Sequence, residues 1–170
     1  SFSVINIICQ LCAIPGIAVG NALAKRFGKR DVFRSWLIIA GIMAALFFVV
    51  PPSGIWAILI LSILFNFSWG VTMPLPWAMM ADVADYSEWK FNRRATGIVF
   101  AGIVVGLKVG LAVGGALAGW LLNGYGYVAN VAQTATAVQG IRLSVSIFPV
   151  IALVFCVVAL FRYDIGKKVE

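Results

Sequence analysis

Ile98-Val99-Phe100-Ala101-Gly102-Ile103-Val104-Val105-Gly106-Leu107-Lys108-Val109-Gly110-Leu111-Ala112-Val113-Gly114-Gly115-Ala116-Leu117-Ala118-Gly119-Trp120-Leu121-Leu122 is a run of 25 residues that contains a single charge. At about 1.5 Å per residue a helix of that length crosses a hydrocarbon core roughly 30 Å thick. Four more apolar runs lie outward from it, so that the spans fall at about 2-24, 35-52, 55-81, 98-122 and 141-161. None alternates apolar and polar residues as a membrane β-strand does, and a helix satisfies its own backbone hydrogen bonds in lipid. The expected fold class is therefore all-α membrane, with five transmembrane helices.

Composition agrees. The chain is 62% hydrophobic and only 11% charged, with a mean hydropathy of +1.02, whereas a soluble domain carries about a quarter charged residues. The net charge of +7 does not point to nucleic acid, because no stripe of basic and aromatic residues exists away from the span ends. Lys25, Arg26, Lys29, Arg30 and Arg34 follow the first span, Lys90, Arg93 and Arg94 the third, and Arg162, Lys167 and Lys168 the fifth. Alternating spans put all of these on one face, which the positive-inside rule makes cytoplasmic, carboxy terminus included. The opposite face is left with Pro51-Pro52-Ser53-Gly54 and a loop from about Asn123 to Gly140, neither of which is charged.

An enzyme is not expected: histidine is absent, and no metal-ligand or phosphate-loop spacing occurs. Cys9-Gln10-Leu11-Cys12 has the spacing of a redox motif but sits in an apolar helix, where small core packing is the simpler reading, as for Cys156. No cofactor or bound metal is expected.

Three sets of residues carry potential function. In the third span Asn66, Trp69, Met73 and Trp77 recur at helical spacing and share one face. An amide with two indoles at membrane depth can stack on and hydrogen-bond a sugar ring; a contact between helices built from bulky side chains is the alternative. Pro74 and Pro76 remove helical hydrogen bonds beside them, which predicts a kink or an unwound segment. Trp36, Trp56, Trp89 and Trp120 lie near span ends and are expected in the interfacial belt.

In the fourth span Gly102, Gly106, Gly110 and Gly114 repeat every four residues, the small-xxx-small pattern that lets helix backbones approach closely. Lys108 falls about 160° from the centre of that stripe. A cation at bilayer centre costs roughly 2.5–3.5 kcal/mol on insertion scales, so Lys108 is expected to face water, substrate or a partner. Between the third and fourth spans, Asp82, Asp85 and Glu88 are followed by Lys90, Arg93 and Arg94. These acids and bases either close a cytoplasmic gate by ion pairing or form an ordinary solvated loop, in which each exposed pair contributes about 0–1 kcal/mol.

Gly20-Asn21-Ala22-Leu23-Ala24-Lys25-Arg26-Phe27-Gly28-Lys29-Arg30 resembles the short loop between paired helices of the major facilitator superfamily, with Lys25 where that pattern has an acid. Ala81-Asp82-Val83-Ala84-Asp85-Tyr86-Ser87-Glu88-Trp89-Lys90 with Arg94 and Gly97, Lys108-Val109-Gly110 and Gly114-Gly115-Ala116-Leu117-Ala118-Gly119-Trp120 narrow the likeness. So do Gly126-Tyr127, Asn130, Gln133, Gly140-Ile141, Pro149 and Tyr163. Together they resemble the glycoside-pentoside-hexuronide:cation symporters, a branch of that superfamily with melibiose, xyloside and glucuronide carriers. The family usually has Gly at Ser87 and an acid at Thr96.

The resemblance implies a twelve-helix transporter of the bacterial inner membrane, of which residues 1-170 form part of the carboxy-terminal six-helix bundle, helices eight to twelve. It implies cation-coupled symport, with Na⁺ or H⁺, of a sugar, glycoside or glucuronide, with Lys108 near the sugar. The partners implied are the lipid bilayer, the sugar and a missing amino-terminal bundle that holds the cation ligands. A lysolipid or other small-solute carrier of the same fold, and a non-transporting membrane scaffold, are the competing expectations.

Overall fold

The computed structural model describes residues 7, 10–51 and 54–163. Ser1, Phe2, Cys9, Pro52, Ser53, Lys167 and Lys168, all of which enter the sequence reading, lie outside the described residues. The described residues form helices and no strand: α1 (Ala13–Phe27), α2 (Lys29–Val49), α3 (Ile55–Thr72), α4 (Leu75–Phe91), α5 (Thr96–Gly124), α6 (Ala135–Val145) and α7 (Ile147–Leu160). By length and composition, Lys29–Val49, Ile55–Phe91, Thr96–Gly124 and Ala135–Leu160 can each cross a membrane. With α1 they make the five-rod, all-α arrangement.

Element ends differ from the sequence reading for identifiable reasons. A single residue, Gly28, separates α1 from α2 and holds φ at 92°, a value that glycine adopts without strain. Its N–H bonds Ala24 O at 2.9 Å, closing α1. The second helix starts at Lys29 rather than at 35, because its first turn is polar but still helical; Asp31 there suits the positive end of the helix dipole.

The prolines at 74 and 76 do not unwind the third rod. Met73 (φ −59°, ψ −43°) and Pro74 (φ −78°, ψ −21°) keep helical angles, so α3 and α4 form one 37-residue rod. Pro74 has no N–H to offer Gly70 O, and Pro76 none for Thr72 O, so the defect is confined to missing hydrogen bonds. The rod ends at Phe91, not at 81, which corrects the loop reading: Asp82, Asp85 and Glu88 stand on a helix. Asn92 in the left-handed region (φ 54°) terminates it.

The last span, by contrast, is interrupted at Ser146 (φ −110°, ψ −76°), and it begins at Ala135. The buried Ser146 hydroxyl donates to Arg142 O at 2.5 Å, a carbonyl that also accepts from the Ser146 backbone N–H at 3.0 Å.

The tightest packing joins α1 to α3. A Cβ added at Gly20 would lie 2.6 Å from Val71 O; one at Gly16 would collide with Phe67 O, and one at Gly70 with Ala13 O. Beside this seam, Val32, Val71 and Leu75 form the buried core, covered by Leu23, Ala24, Phe33, Trp36 and Phe67. Trp36 therefore packs inward, edge-on to Phe67 at 5.9 Å, and is no belt residue, whereas Trp56, Trp89 and Trp120 are exposed as expected.

The glycine stripe of α5 packs closely against none of the described residues. Nothing lies within 4 Å of a Cβ at Gly102, Gly106, Gly110 or Gly114. No residue of α5 is buried, and α5 touches only α4 and α6 among the described helices.

Candidate functional site

The basic segments converge at one end of the rods. Lys29 Nζ lies 2.5 Å from Asp82 Oδ1 and 2.6 Å from Oδ2. Arg30 Nη2 reaches Phe161 O at 3.5 Å, Arg34 covers the Phe161 ring, and Tyr163 donates to Met79 O at 3.3 Å. Residues around 25–34, 79–94 and 161–163 thus share this end.

The acids and bases of the expected gate are divided between two sites. Arg94 pairs with Asp85 Oδ1 at 3.3 Å and Glu88 Oε2 at 3.6 Å, all three exposed, and its Nε donates to Thr96 Oγ1 at 3.3 Å. Asp82 instead turns inward to Lys29, where the side chains are 16% and 28% exposed. Arg93 forms no ion pair among the described residues; its carbonyl accepts from Ser87 Oγ at 3.1 Å. Sequence reasoning grouped Asp82 with its sequence neighbours and missed Lys29 as its partner. The signal available was the basic turn after α1, which had to meet an acid on another rod once Lys25 replaced the local one.

Deeper in the rod, Trp69 (51%), Met73 (58%) and Trp77 (41%) are exposed in one line across the double proline. The amide of Asn66 is partly withdrawn from that face: its Nδ2 donates to Ser62 O at 2.8 Å, one turn back on its own helix. Trp77 stacks on Phe100 of α5, with centroids 6.4 Å apart and planes at 19°.

Contact of Trp77 with Phe100 and of Arg94 with Asp85 runs α4 and α5 antiparallel. Lys108 lies eight residues beyond Phe100 and Trp69 eight residues before Trp77, so each sits about 12 Å further from the basic end. Lys108 and Trp69 are thereby at similar depth, on helices α5 and α3, which do not touch each other among the described residues. The Lys108 ammonium is exposed and has no hydrogen bond or ion pair among the described residues. Exposed Trp69, Met73 and Trp77 of the third rod and exposed, uncompensated Lys108 of α5 thus lie toward the middle of neighbouring rods.

At the opposite end, a residue the sequence reading passed over is engaged. Arg142 donates to Phe48 O, and to Val50 O at 3.2 Å. It caps the carbonyl end of α2, where a cation also suits the helix dipole.

A family model described as MFS/sugar transport protein matches residues 1–167. The "Uncharacterized 29.9 kDa protein in crtE 3'region" of Pseudescherichia vulneris is 40% identical over 141 residues, covering 80% of this chain and 52% of that protein. The "Uncharacterized symporter YnaJ" of Bacillus subtilis (strain 168) is 33% identical, covering 86% of this chain and 32% of its own length. The "Isoprimeverose transporter" of Lactiplantibacillus pentosus is 31% identical, covering 93% and 33%. The chain thus spans about half of the first of these relatives and about a third of the other two.

Proposed function

This chain belongs to the MFS/sugar transport family of integral membrane transporters, not enzymes, and from that premise we propose that it supplies part of the carboxy-terminal bundle of a cation-coupled sugar symporter. The observation that carries the proposal is that Trp69 and Trp77 are exposed along one line of the third rod, with Trp69 at a depth similar to that of the exposed, uncompensated Lys108 of α5. Indole faces accept the C–H surface of a sugar ring, and an ammonium at membrane depth is retained where it meets water or a polar solute. The name of one relative, an isoprimeverose transporter, supports the substrate class, and that of another, a symporter, supports the coupled mode of transport.

In this reading a glycoside binds at mid-depth together with Na⁺ or H⁺, and rocking of two helical bundles alternates access. The basic end faces the cytoplasm of a bacterial cell, by the positive-inside rule. Arg94 with Asp85 and Glu88 forms the exposed, readily opened part of an inner gate, while Asp82 with Lys29 holds two rods of the bundle together.

The test uses the full-length protein in vesicles. Uptake of a panel of radiolabelled glycosides is measured with Na⁺ or proton gradients imposed singly. Gradient-driven uptake of at least one glycoside is the expected result, and its absence across the panel with both ions overturns the proposal.

A further inference from the structure

Helices α2 and α7 pack against each other: a Cβ at Gly41 would lie 3.8 Å from Leu153 Cδ1, and Arg34 covers the ring of Phe161. They therefore run antiparallel. A furrow of about 290 Å³ follows their seam, from Leu37 and Val158 at the basic end to Ala45 and Val150. Every residue lining it is apolar, and Ile38, Ile42, Val154 and Val158 are each about half exposed. From Leu37 to Ala45 the furrow runs about 12 Å, close to the roughly 15 Å of hydrocarbon in one leaflet. It does not border Lys108, because α5 touches neither α2 nor α7 among the described residues.

Charge collects at the mouth beside Leu37 and Val158. Arg34 is offset there by Asp31 at 3.3 Å, and Lys29 by Asp82. Arg30 and Arg162 have no ion pair among the described residues. The contact of Arg30 Nη2 with Phe161 O, at 3.5 Å, is at the limit of a hydrogen bond, and its buried Nε has no partner among the described residues. Four cations thus face two carboxylates at the end of a wholly apolar furrow.

We infer that the furrow binds one anionic phospholipid of the leaflet at the basic end, its phosphate held by Arg30 and Arg162 and one acyl chain lying along Ile38, Ile42 and Val154. The inference rests on the rods spanning a membrane and not on the sugar. A guanidinium fork matches phosphate oxygens in pairs, and basic pockets at the ends of membrane helices take anionic headgroups. A zwitterionic lipid brings its own ammonium to the same mouth and gains less. A helix about 10 Å across occupies roughly 900 Å³ over this length and would ride on the rim, whereas an acyl chain lies within. A second copy, related by a two-fold axis along the membrane normal, would set basic mouth against basic mouth.

Photolabelling tests this. Full-length protein is placed in phosphatidylcholine nanodiscs doped with phosphatidylglycerol carrying a photoreactive acyl chain, or with phosphatidylcholine carrying the same chain, and labelled peptides are mapped by mass spectrometry. Residues 38–45 and 150–158 are expected to label at least tenfold more with the anionic lipid. Arg30→Gln with Arg162→Gln brings the two lipids level, and Gly41→Leu, which fills the furrow, lowers anionic labelling at least tenfold. Asp31→Asn, which releases Arg34, widens the preference, a gain that misfolding does not produce. Equal labelling by both lipids in the wild type reduces the furrow to ordinary bilayer contact and overturns the inference. So does a preference that survives the double arginine variant or falls in Asp31→Asn. Displacement by inorganic phosphate at constant ionic strength, or a photo-cross-link from position 154 to another helix or a second copy, also overturns it. Failure of glycoside uptake with the lipid preference intact strikes at the transport reading alone.

Discussion

Lys29 Nζ sits 2.5 Å and 2.6 Å from the two carboxylate oxygens of Asp82, 53 positions along the chain, and joins the turn after α1 to the far part of the third rod. The pair is mostly shielded, so its loss leaves a charge in poor solvent. Asp82→Asn is expected to lower stability by about 1–3 kcal/mol, between the values for exposed and buried pairs. Thermal unfolding of the full-length protein in detergent measures this. Charge reversal at both sites, Lys29→Asp with Asp82→Lys, recovers much of the loss; equal damage from single and double variants would show that the two residues are uncoupled.

Arg94 presents the opposite case. Its partners Asp85 and Glu88 are as exposed as it is, so Arg94→Ala costs less than about 1 kcal/mol of stability. If the pairs gate access, the same variant raises cytoplasmic accessibility of a cysteine placed near Trp77, read by labelling rate in membranes. A labelling rate equal to wild type removes the gate.

Gly70 admits no side chain, because a Cβ there meets the backbone of Ala13. Gly70→Leu is expected to push α1 off α3 and abolish accumulation of folded protein, since relief requires movement of backbone on both helices. Gly97→Leu, where nothing lies within 4 Å, serves as the tolerated control in the same expression assay.

Lys108→Ala removes the one cation that, among the described residues, lies mid-span without a partner. Cation-driven glycoside uptake falls at least a hundredfold while insertion and expression stay normal, and Trp69→Ala raises KM about tenfold, the loss of roughly 1.4 kcal/mol of stacking. Trp77→Ala has a mixed effect, because the ring also stacks on Phe100; that contact contributes about 0.5–1.5 kcal/mol to the fold. Wild-type uptake by Lys108→Ala would take the lysine out of the mechanism.

Arg142→Met leaves the carbonyls of Phe48 and Val50 without their donor. A loss of about 1.5–3 kcal/mol is expected, the value of hydrogen bonds to a charged group, seen as faster amide exchange at the end of α2 and not as altered substrate affinity.

The rods and their order were legible because lipid imposes a crude, strong pattern: long apolar runs with bases at alternate gaps. Element ends were not, since a polar helical turn such as Lys29–Arg34 and the acidic turn Asp82–Glu88 look like loops to any reading based on hydropathy alone. Within the described residues the close glycine packing occurs at Gly16, Gly20 and Gly70, while the Gly102–Gly114 stripe faces none of them. Gly16 and Gly20 carry the same four-residue spacing, but a stripe states only that a backbone can approach, not which one does. Of the aromatic face, Trp69 and Trp77 were readable from spacing; the withdrawal of Asn66 was not, because its donor is taken by its own helix.

The double proline leaves the third rod helical while stripping two hydrogen bonds from its middle, and so turns it into a stiff arm with a soft fulcrum. From Pro74 to Phe91 the arm measures about 25 Å. A tilt of about 5° at the fulcrum swings its tip by about 2 Å, comparable to the slack that separates a made ion pair from a broken one. Trp77, three residues beyond the fulcrum, and Asp85, near the tip, ride on the same arm. In the proposed transport cycle, a ring pressed against the indole would work, by leverage, on the contact between Asp85 and Arg94 more than 10 Å away.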